Sequence, residues 1–242
     1  MDVSQVEFRL SWASEWHLRI QIDTSKESIQ AAFVGEAIRV FRRDTLEGLL
    51  SVVSGYQNVL LKFAPEVFDE ADIESQVRTL LRDFDLQRSH AETRLVEIPV
   101  CYDEAFAPDL MDVARFNDLD VQSVIRLHTT ATYQVRFIGF APGFGYLSGL
   151  PEAIATPRLD TPRVRVPAGS VGIAGAQTGV YPTQTAGGWR LIGRTPMVMF
   201  DPARCDPSLN ENPSTLIPGD RVRFVAIDRD EYERRRQQVA QA

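Results

Sequence analysis

FIGFAPGFGYLSGLPEAIATPRLDTPRVRVPAGSVGIAGAQTGVYPTQTAGGWRLIGRTPMVMFDP, residues 137–202, is the stretch that decides the fold. Short β-prone runs, at Tyr133–Phe140, Ser170–Ala174, Trp189–Ile192 and Met197–Phe200, alternate here with Gly/Pro turns. That alternation predicts an all-β barrel or sandwich and argues against a βαβ or helical domain. Eleven of the chain's 15 glycines fall inside the stretch, so its turns and close approaches of backbone are specialised.

Upstream the pattern changes. Phe8, Leu10 and Trp12 alternate, as do Trp16, Leu18, Ile20 and Ile22, which predicts a hairpin turning at Ala13–Glu15. Ile29, Phe33, Ala37, Val40 and Phe41 recur at helical spacing, with Ser25 as a candidate N-cap. Leu49–Val53 and Asn58–Phe63 form a second hairpin around Ser54-Gly55, and Ile73, Val77, Leu80, Leu81 and Phe84 a second helical stripe. Residues 1–87 therefore read as a small α+β domain, an antiparallel sheet with two helices on one face. The polar segment Asp85–Arg94 is the predicted boundary, and residues 93–230 are the β domain. Its first strand, Thr93–Tyr102, contains Pro99 and is expected at an edge. Two short helices are predicted at Pro108–Phe116 and Asp120–His128, the second capped by Asp120, and a last strand at Arg221–Ile227. The tail DRDEYERRRQQVAQA has no apolar stripe and is expected to be a frayed, solvated helix.

The chain has 242 residues, 44% hydrophobic and 24% charged, which suits a packed core. A net charge of −7 argues against nucleic acid or an anionic membrane as partner, since phosphates need cationic neutralisation. The start, MDVSQVEFRL, lacks the features of a signal peptide, and no apolar run reaches spanning length, so a cytoplasmic location is expected. Cys101 and Cys205 are far apart with no CxxC and are expected to be buried free thiols. His17, His90 and His128 share no metal-ligand spacing, so no metal site is expected. No P-loop, no dinucleotide fingerprint and no G-x-S-x-G elbow is present; a nucleotide site would have to use turn amides and arginines.

Four clusters carry potential chemistry. Gly139–Leu147 places Phe140, Phe144 and Tyr146 around a Pro-Gly turn, either as an apolar groove or as a packed corner. Thr156-Pro157-Arg158 and Thr161-Pro162-Arg163 present two arginines from a stiffened loop, suited to bidentate recognition of phosphate or carboxylate, or simply solvated. Gln177 and Thr178 lie between glycines, with Tyr181 following; they read as polar ligand contacts or as a tight turn. Trp189 opens a strand that ends in Gly193-Arg194, placing Arg194 at a strand terminus. His128, at a helix end, fits a general acid or base, but its spacing favours a core histidine.

The run Gly139–Leu147, Pro157-Arg158, Pro162-Arg163, Val166–Gly175, Gln177–Pro182, Gly187–Pro196 and Phe200–Pro202 closely resembles the signature of the 5-oxoprolinase family, specifically its B-type component. That family is also known as allophanate hydrolase subunit 1 or kinase-inhibitor-type protein, and is related to subdomains C and D of the carboxyltransferase part of urea carboxylase. Pro108-Asp109-Leu110 and His128 match it too. Ala107 and Ala186 stand where the family usually has glycine and proline; neither change removes a candidate side chain.

The resemblance implies an α+β domain followed by a cyclophilin-like barrel. It implies a subunit of an ATP-dependent 5-oxoprolinase, working with a second barrel subunit of the C type and a lactam-hydrolase subunit, with ATP and Mg held by the complex. The alternatives it leaves are a binding module that inhibits a sensor histidine kinase and a carboxyltransferase-related subunit for allophanate or urea. On the enzymatic reading, Arg158, Arg163 and Arg194 clamp anionic groups, and Gln177, Thr178 and Asp109 bind the lactam or its carboxylate. His128 moves a proton or orients the substrate, and Phe140, Phe144, Tyr181 and Trp189 wall the pocket.

Overall fold

The computed structural model describes residues 7–43, 46–67, 69–82, 94–205 and 212–241. Its contacts divide the chain into two units, Met1–Arg94 and Leu95–Ala242.

The first unit is a four-stranded antiparallel sheet in the order β1 (Phe8–Ser14), β2 (His17–Ile22), β4 (Asn58–Phe63), β3 (Leu49–Ser54). Strand β2 shows why: Leu18, Ile20 and Ile22 are buried while Arg19 between them is exposed, the period of two that turns one face inward. Helix α1 (Glu27–Arg43) brings Phe33, Ala37 and Phe41 into the same core, and α2 (Glu70–Arg82) brings Ile73, Val77 and Leu81. The order strand, strand, helix, strand, strand, helix is the one the sequence predicts. Phe84 and the segment Asp85–Thr93 lie outside the described residues. At the start of helix α1 the Lys26 carbonyl accepts from the amides of Ile29 and Gln30.

The second unit holds a closed seven-stranded barrel, together with helices and a two-stranded ribbon. Around the barrel the strands run β10 (Gln177–Val180), β7 (Gly145–Ser148), β6 (Tyr133–Ile138), β13 (Arg221–Ile227), β5 (Leu95–Cys101), β12 (Arg190–Arg194), β9 (Ser170–Ala174). Only β13 and β5 pair in parallel, from Arg221 opposite Leu95 to Ile227 opposite Cys101. Helices α3 (Leu110–Phe116) and α4 (Val121–Thr130) send Leu110, Val113, Ala114 and Val124 into the barrel core beside Ile98, Val100, Val135, Ile173 and Phe224. Asp120 caps α4 as its sequence position suggests, accepting from the Ser123 amide at 2.7 Å. The ribbon is β8 (Arg163–Val166) with β11 (Thr185–Gly187).

Three local expectations are corrected. The closed barrel makes β5 an interior strand, not an edge. It tolerates Pro99 because β12 reaches β5 only at Cys101, so one side of the strand carries no ladder at the proline. Met197–Phe200 is not a strand; Phe200 makes only an isolated bridge, to Ser214, outside the sheets. Cys101 is buried but Cys205 is exposed, and both are free. The C-terminal helix α5 (Arg229–Gln241) is mostly solvated, yet Tyr232 anchors it, buried with its ring 4.5 Å from that of Phe106. A single aromatic anchor leaves no stripe for a sequence pattern to reveal. Among the described residues, no helix is long and apolar enough to cross a membrane.

Candidate functional site: an aromatic corner with a half-satisfied arginine

Alternation along β9, β10 and β12 sorts the site. Val171, Ile173, Val180 and Ile192 point into the barrel core, whereas Ala174 and Leu191 join a separate cluster with Phe144, Val166, Tyr181 and Trp189. The second cluster is packed edge to face around Phe144, whose ring centroid lies 4.9 Å from Tyr146, 5.2 Å from Trp189, 5.3 Å from Tyr181 and 5.4 Å from Phe140. Such T-shaped pairs set the positive ring edge against the negative face.

The barrel wall beneath this cluster is flattened by a pair of glycines. Gly172 and Gly179 face each other across β9 and β10. A Cβ on Gly172 would lie 3.0 Å from the Cβ of Trp189; one on Gly179 would lie 3.1 Å from Phe144 and 3.2 Å from Trp189. The missing side chains let the two rings rest on the backbone.

Charge enters along one rim. Asp109 precedes α3 but does not cap it; its buried carboxylate accepts from Arg163 Nη2 and from the Leu191 amide, each at 2.6 Å. Arg163 Nη1 is buried and has no hydrogen-bond partner. Arg158 is exposed, but its backbone is fixed on both sides. Arg190 Nε donates to the Pro157 carbonyl at 3.3 Å, and the Leu159 amide donates to the Gly188 carbonyl at 2.8 Å. Tyr181 is buried between these arginines and Trp189. Burial pushes its phenol pKa up, while the Trp189 amide directed at the hydroxyl and the charges of Arg158 and Arg163 pull the other way. Tyr181 fits because Gly187 has no side chain: a Cβ there would sit 2.4 Å from the Tyr181 hydroxyl oxygen.

Phe140 stands over the cluster, 60% exposed, its ring 6.2 Å from that of Tyr181. Its φ is 65°, and the Ala141 amide donates to the Gly139 carbonyl at 2.7 Å. That is a γ-turn of the rare positive-φ kind, on a bulky residue.

The residues expected from the sequence are thus divided. Phe140, Phe144, Tyr181, Trp189, Arg158, Arg163 and Asp109 share one corner. Gln177 is half-buried at the start of β10, two residues after Gly175, which bridges to Thr156. Thr178 and His128 lie on the other side of the wall, inside the barrel. His128 is wholly buried and stacked on Phe224 at 4.3 Å. The Thr178 hydroxyl donates to the Gly172 carbonyl at 2.9 Å, so His128 Nε2 must be the donor to Thr178, at 3.1 Å. His128 Nδ1 then accepts from the Tyr102 hydroxyl at 2.7 Å. Burial lowers its pKa from 6.5 to about 3, so this imidazole is a neutral core group with both nitrogens satisfied rather than a proton carrier facing the corner. Arg194 is four residues along β12 from Arg190, roughly 13 Å at strand spacing. Its Nε donates to the Ala168 carbonyl at 2.9 Å and its guanidinium lies over Phe106 at 6.0 Å, contacts that Arg158 and Arg163 do not share. Arg194 therefore stands apart from Arg158 and Arg163, because the extended strand carries it away.

Sequence reasoning gave Gly187 no role of its own and placed Tyr146 only beside the Pro-Gly turn, not in the wall of the site. Tyr146 alternates with Gly145 and Leu147 in a four-residue strand too short to show a period; Gly187 sits in a Gly-Gly pair that reads only as a turn. Among the described residues, no group of three or more His, Cys, Asp or Glu side chains is placed to hold a metal.

Comparisons with known proteins agree with this architecture. The sequence model of the carboxyltransferase domain, subdomain C and D, matches residues 8–210. The chain is 48% identical over 162 residues to the B-type component of 5-oxoprolinase from Bacillus subtilis (66% of this chain, 62% of the relative). It is 54% identical over 134 residues to that of Escherichia coli O157:H7 (55% and 59%) and 41% identical over 179 residues to that of Haemophilus influenzae (74% and 80%). The matched stretch is thus less than two thirds of the first two relatives' length. Among solved structures, TTHA0988 superposes with a TM-score of 0.74 at 32% identity, over 88% of this chain and 39% of that one. The Pyrococcus horikoshii protein PH0987 superposes with a TM-score of 0.54 at 37% identity, over 93% of this chain and 100% of that one.

Proposed function

The chain belongs to the family of B-type 5-oxoprolinase components, and from that premise we propose that it is one subunit of an ATP-dependent 5-oxoprolinase acting in the cytoplasm. The observation that carries the reading is the 41% identity that extends over 80% of the Haemophilus relative's length. The partners are a second barrel subunit of the C type and a lactam-hydrolase subunit.

The chemistry asked of such a complex suits the corner. A lactam is a poor electrophile. Transfer of the γ-phosphoryl group of ATP to its carbonyl oxygen releases ADP and activates the ring carbon. One water then adds as the C–N bond breaks and the nitrogen takes a proton, leaving an acyl phosphate, and a second water frees the carboxylate with inorganic phosphate as the leaving group. Charge passing through the transfer wants fixed cations and donors that need no reorganisation. Arg158 and Arg163 supply cations for the substrate's anionic group, and Tyr181 and Gln177 the neutral polar groups. Phe140, Phe144, Tyr146 and Trp189 exclude water from one side. ATP with Mg would be held by the assembled complex. His128, Thr178 and Arg194 support the barrel and its neighbouring loops in this scheme.

The test is 5-oxoproline-dependent ADP release by the reconstituted three-subunit complex, with and without Arg163→Ala in this chain. Robust turnover that the variant lowers at least tenfold, with assembly intact, is expected. A complex with no 5-oxoproline-dependent turnover, from which this chain instead captures a sensor histidine kinase, sinks the enzymatic reading in favour of a binding module.

A further inference from the structure

Arg163 and Tyr181 meet at Gly187. Arg163 and Gly187 are paired across the β8–β11 ribbon, and the Tyr181 hydroxyl lies where the Cβ of residue 187 would otherwise be. Each brings an unused donor. Arg163 is held by Asp109 through Nη2 alone, and its buried Nη1 has no partner. An unsatisfied buried donor is costly, more so when charged, and a native structure keeps one where something else supplies the acceptor. The oxygen of Tyr181 faces the Trp189 amide, which leaves its proton free to donate outward. Each oxygen of Asp109 already accepts one hydrogen bond, from Arg163 Nη2 and from the Leu191 amide.

We propose that Arg163 Nη1–H and Tyr181 O–H together form a seat for one carboxylate group of a small ligand, with exposed Arg158 as the cation at its mouth. Two donors match the two oxygens of a carboxylate. A phosphate group carries more charge and more oxygens than this pair can engage, and Asp109 already neutralises much of Arg163. Arg163 keeps 29% of its side chain exposed while its Nη1 and Tyr181 are buried, so the seat lies directly beneath the surface and a ligand must displace its cover to enter. Gly187 determines the specificity of the seat, since any side chain there displaces the Tyr181 hydroxyl. The proposal rests on the reading that this corner handles the substrate, and it names the functional group the corner holds.

The test uses the full chain without partners or ATP and follows tryptophan emission, since Trp189 borders the Tyr181 hydroxyl. Acetate, inorganic phosphate and the uncharged lactam 2-pyrrolidinone are the probes. Saturable acetate binding is expected, with phosphate about tenfold weaker and 2-pyrrolidinone without effect. Tyr181→Phe, which preserves the ring, should weaken acetate about tenfold, the loss of one hydrogen bond to a charged group. Arg163→Lys should weaken it as much or more, because an ammonium held by Asp109 has no second planar donor to offer. Absence of acetate binding, tighter phosphate binding, or acetate binding that Tyr181→Phe leaves unchanged each overturns the seat. The two readings fail separately. Acetate binding as expected beside a complex inactive on 5-oxoproline removes only the proposed function. An active complex that is indifferent to Tyr181→Phe removes only the seat.

Discussion

Asp109 grips Arg163 by one nitrogen and, with its other oxygen, the Leu191 amide of β12, both at 2.6 Å. One buried carboxylate thus ties the loop before α3, the ribbon and the barrel wall to one another. Asp109→Ala strips the counter-charge from a mostly buried guanidinium and the acceptor from a buried amide. The expected loss is about 3 kcal/mol, the low end for breaking a buried pair, because Arg163 reaches solvent with 29% of its side chain. Asp109→Asn keeps an acceptor for Leu191 and should lose less. Urea denaturation of both variants beside the parent chain measures the difference.

The Gly172–Gly179 pair makes a second prediction. Alanine at 179 would meet the Gly145 carbonyl at 3.0 Å as well as the two rings, whereas alanine at 172 meets chiefly the Cβ of Trp189. Overpacking of this kind costs roughly 1–3 kcal/mol. Gly179→Ala should fall at the upper end, with backbone in the way, and Gly172→Ala at the lower end. A shift in tryptophan emission should accompany both, because the indole must lift from the wall. Equal stabilities and an unchanged spectrum would show that the rings do not need the flat wall.

The first unit was legible because its signals are periodic: β2 alternates, α2 repeats at four-residue steps, and both hairpins have punctuated turns. The barrel was legible as β structure but not in its closure. Pairing between β5 and β13 joins residues 126 positions apart, from Arg221 opposite Leu95 to Ile227 opposite Cys101, and no local pattern announces that Pro99 would face an unpaired side. The aromatic corner was readable from residue type and Gly/Pro context, and Phe140, Phe144, Tyr181 and Trp189 do meet there. What sequence cannot supply is the side of a wall. Thr178 and Gly179 are adjacent, yet one bonds His128 inside the barrel and the other lies under Trp189 outside. A strand of four residues with glycine at one face has no hydrophobic alternation to reveal which is which.

His128 makes the acid stability of the second unit predictable. Its folded pKa of about 3 lies below its ordinary 6.5, so between these values the unfolded chain carries a proton that the folded one refuses. Stability is therefore insensitive to this group well above pH 6.5 and falls as pH drops toward 3, by up to about 1.4 kcal/mol per pH unit. At pH 5 the loss relative to pH 8 is about 2 kcal/mol. His128→Gln should be flat over that range apart from the background shared with the parent. The carboxylates of Asp120 and Glu231, both lowered by hydrogen bonds, lose their contribution only further into acid, so the difference between the two chains from pH 5 to 8 isolates His128. Parallel curves would mean that the imidazole takes up its proton in the folded state.

Phe140 offers the sharpest separation of function from stability. A bulky side chain at φ 65° costs about 1 kcal/mol relative to glycine, and a ring that is 60% exposed recovers little of that by burial. Folding alone would favour glycine here. Phe140→Gly should therefore fold at least as stably as the parent, whereas Phe140→Ala, which keeps the strained backbone, should stay near the parent and fall below the glycine variant by about 1 kcal/mol. If the ring stands over Tyr181 to shield a bound ligand, both variants should lose the proposed 5-oxoproline-dependent ATP hydrolysis to a similar extent, despite their different stabilities. Thermal unfolding of the chain and turnover of the reconstituted complex read the two quantities independently. Full turnover by the glycine variant would mean that the exposed ring serves neither the ligand nor the fold.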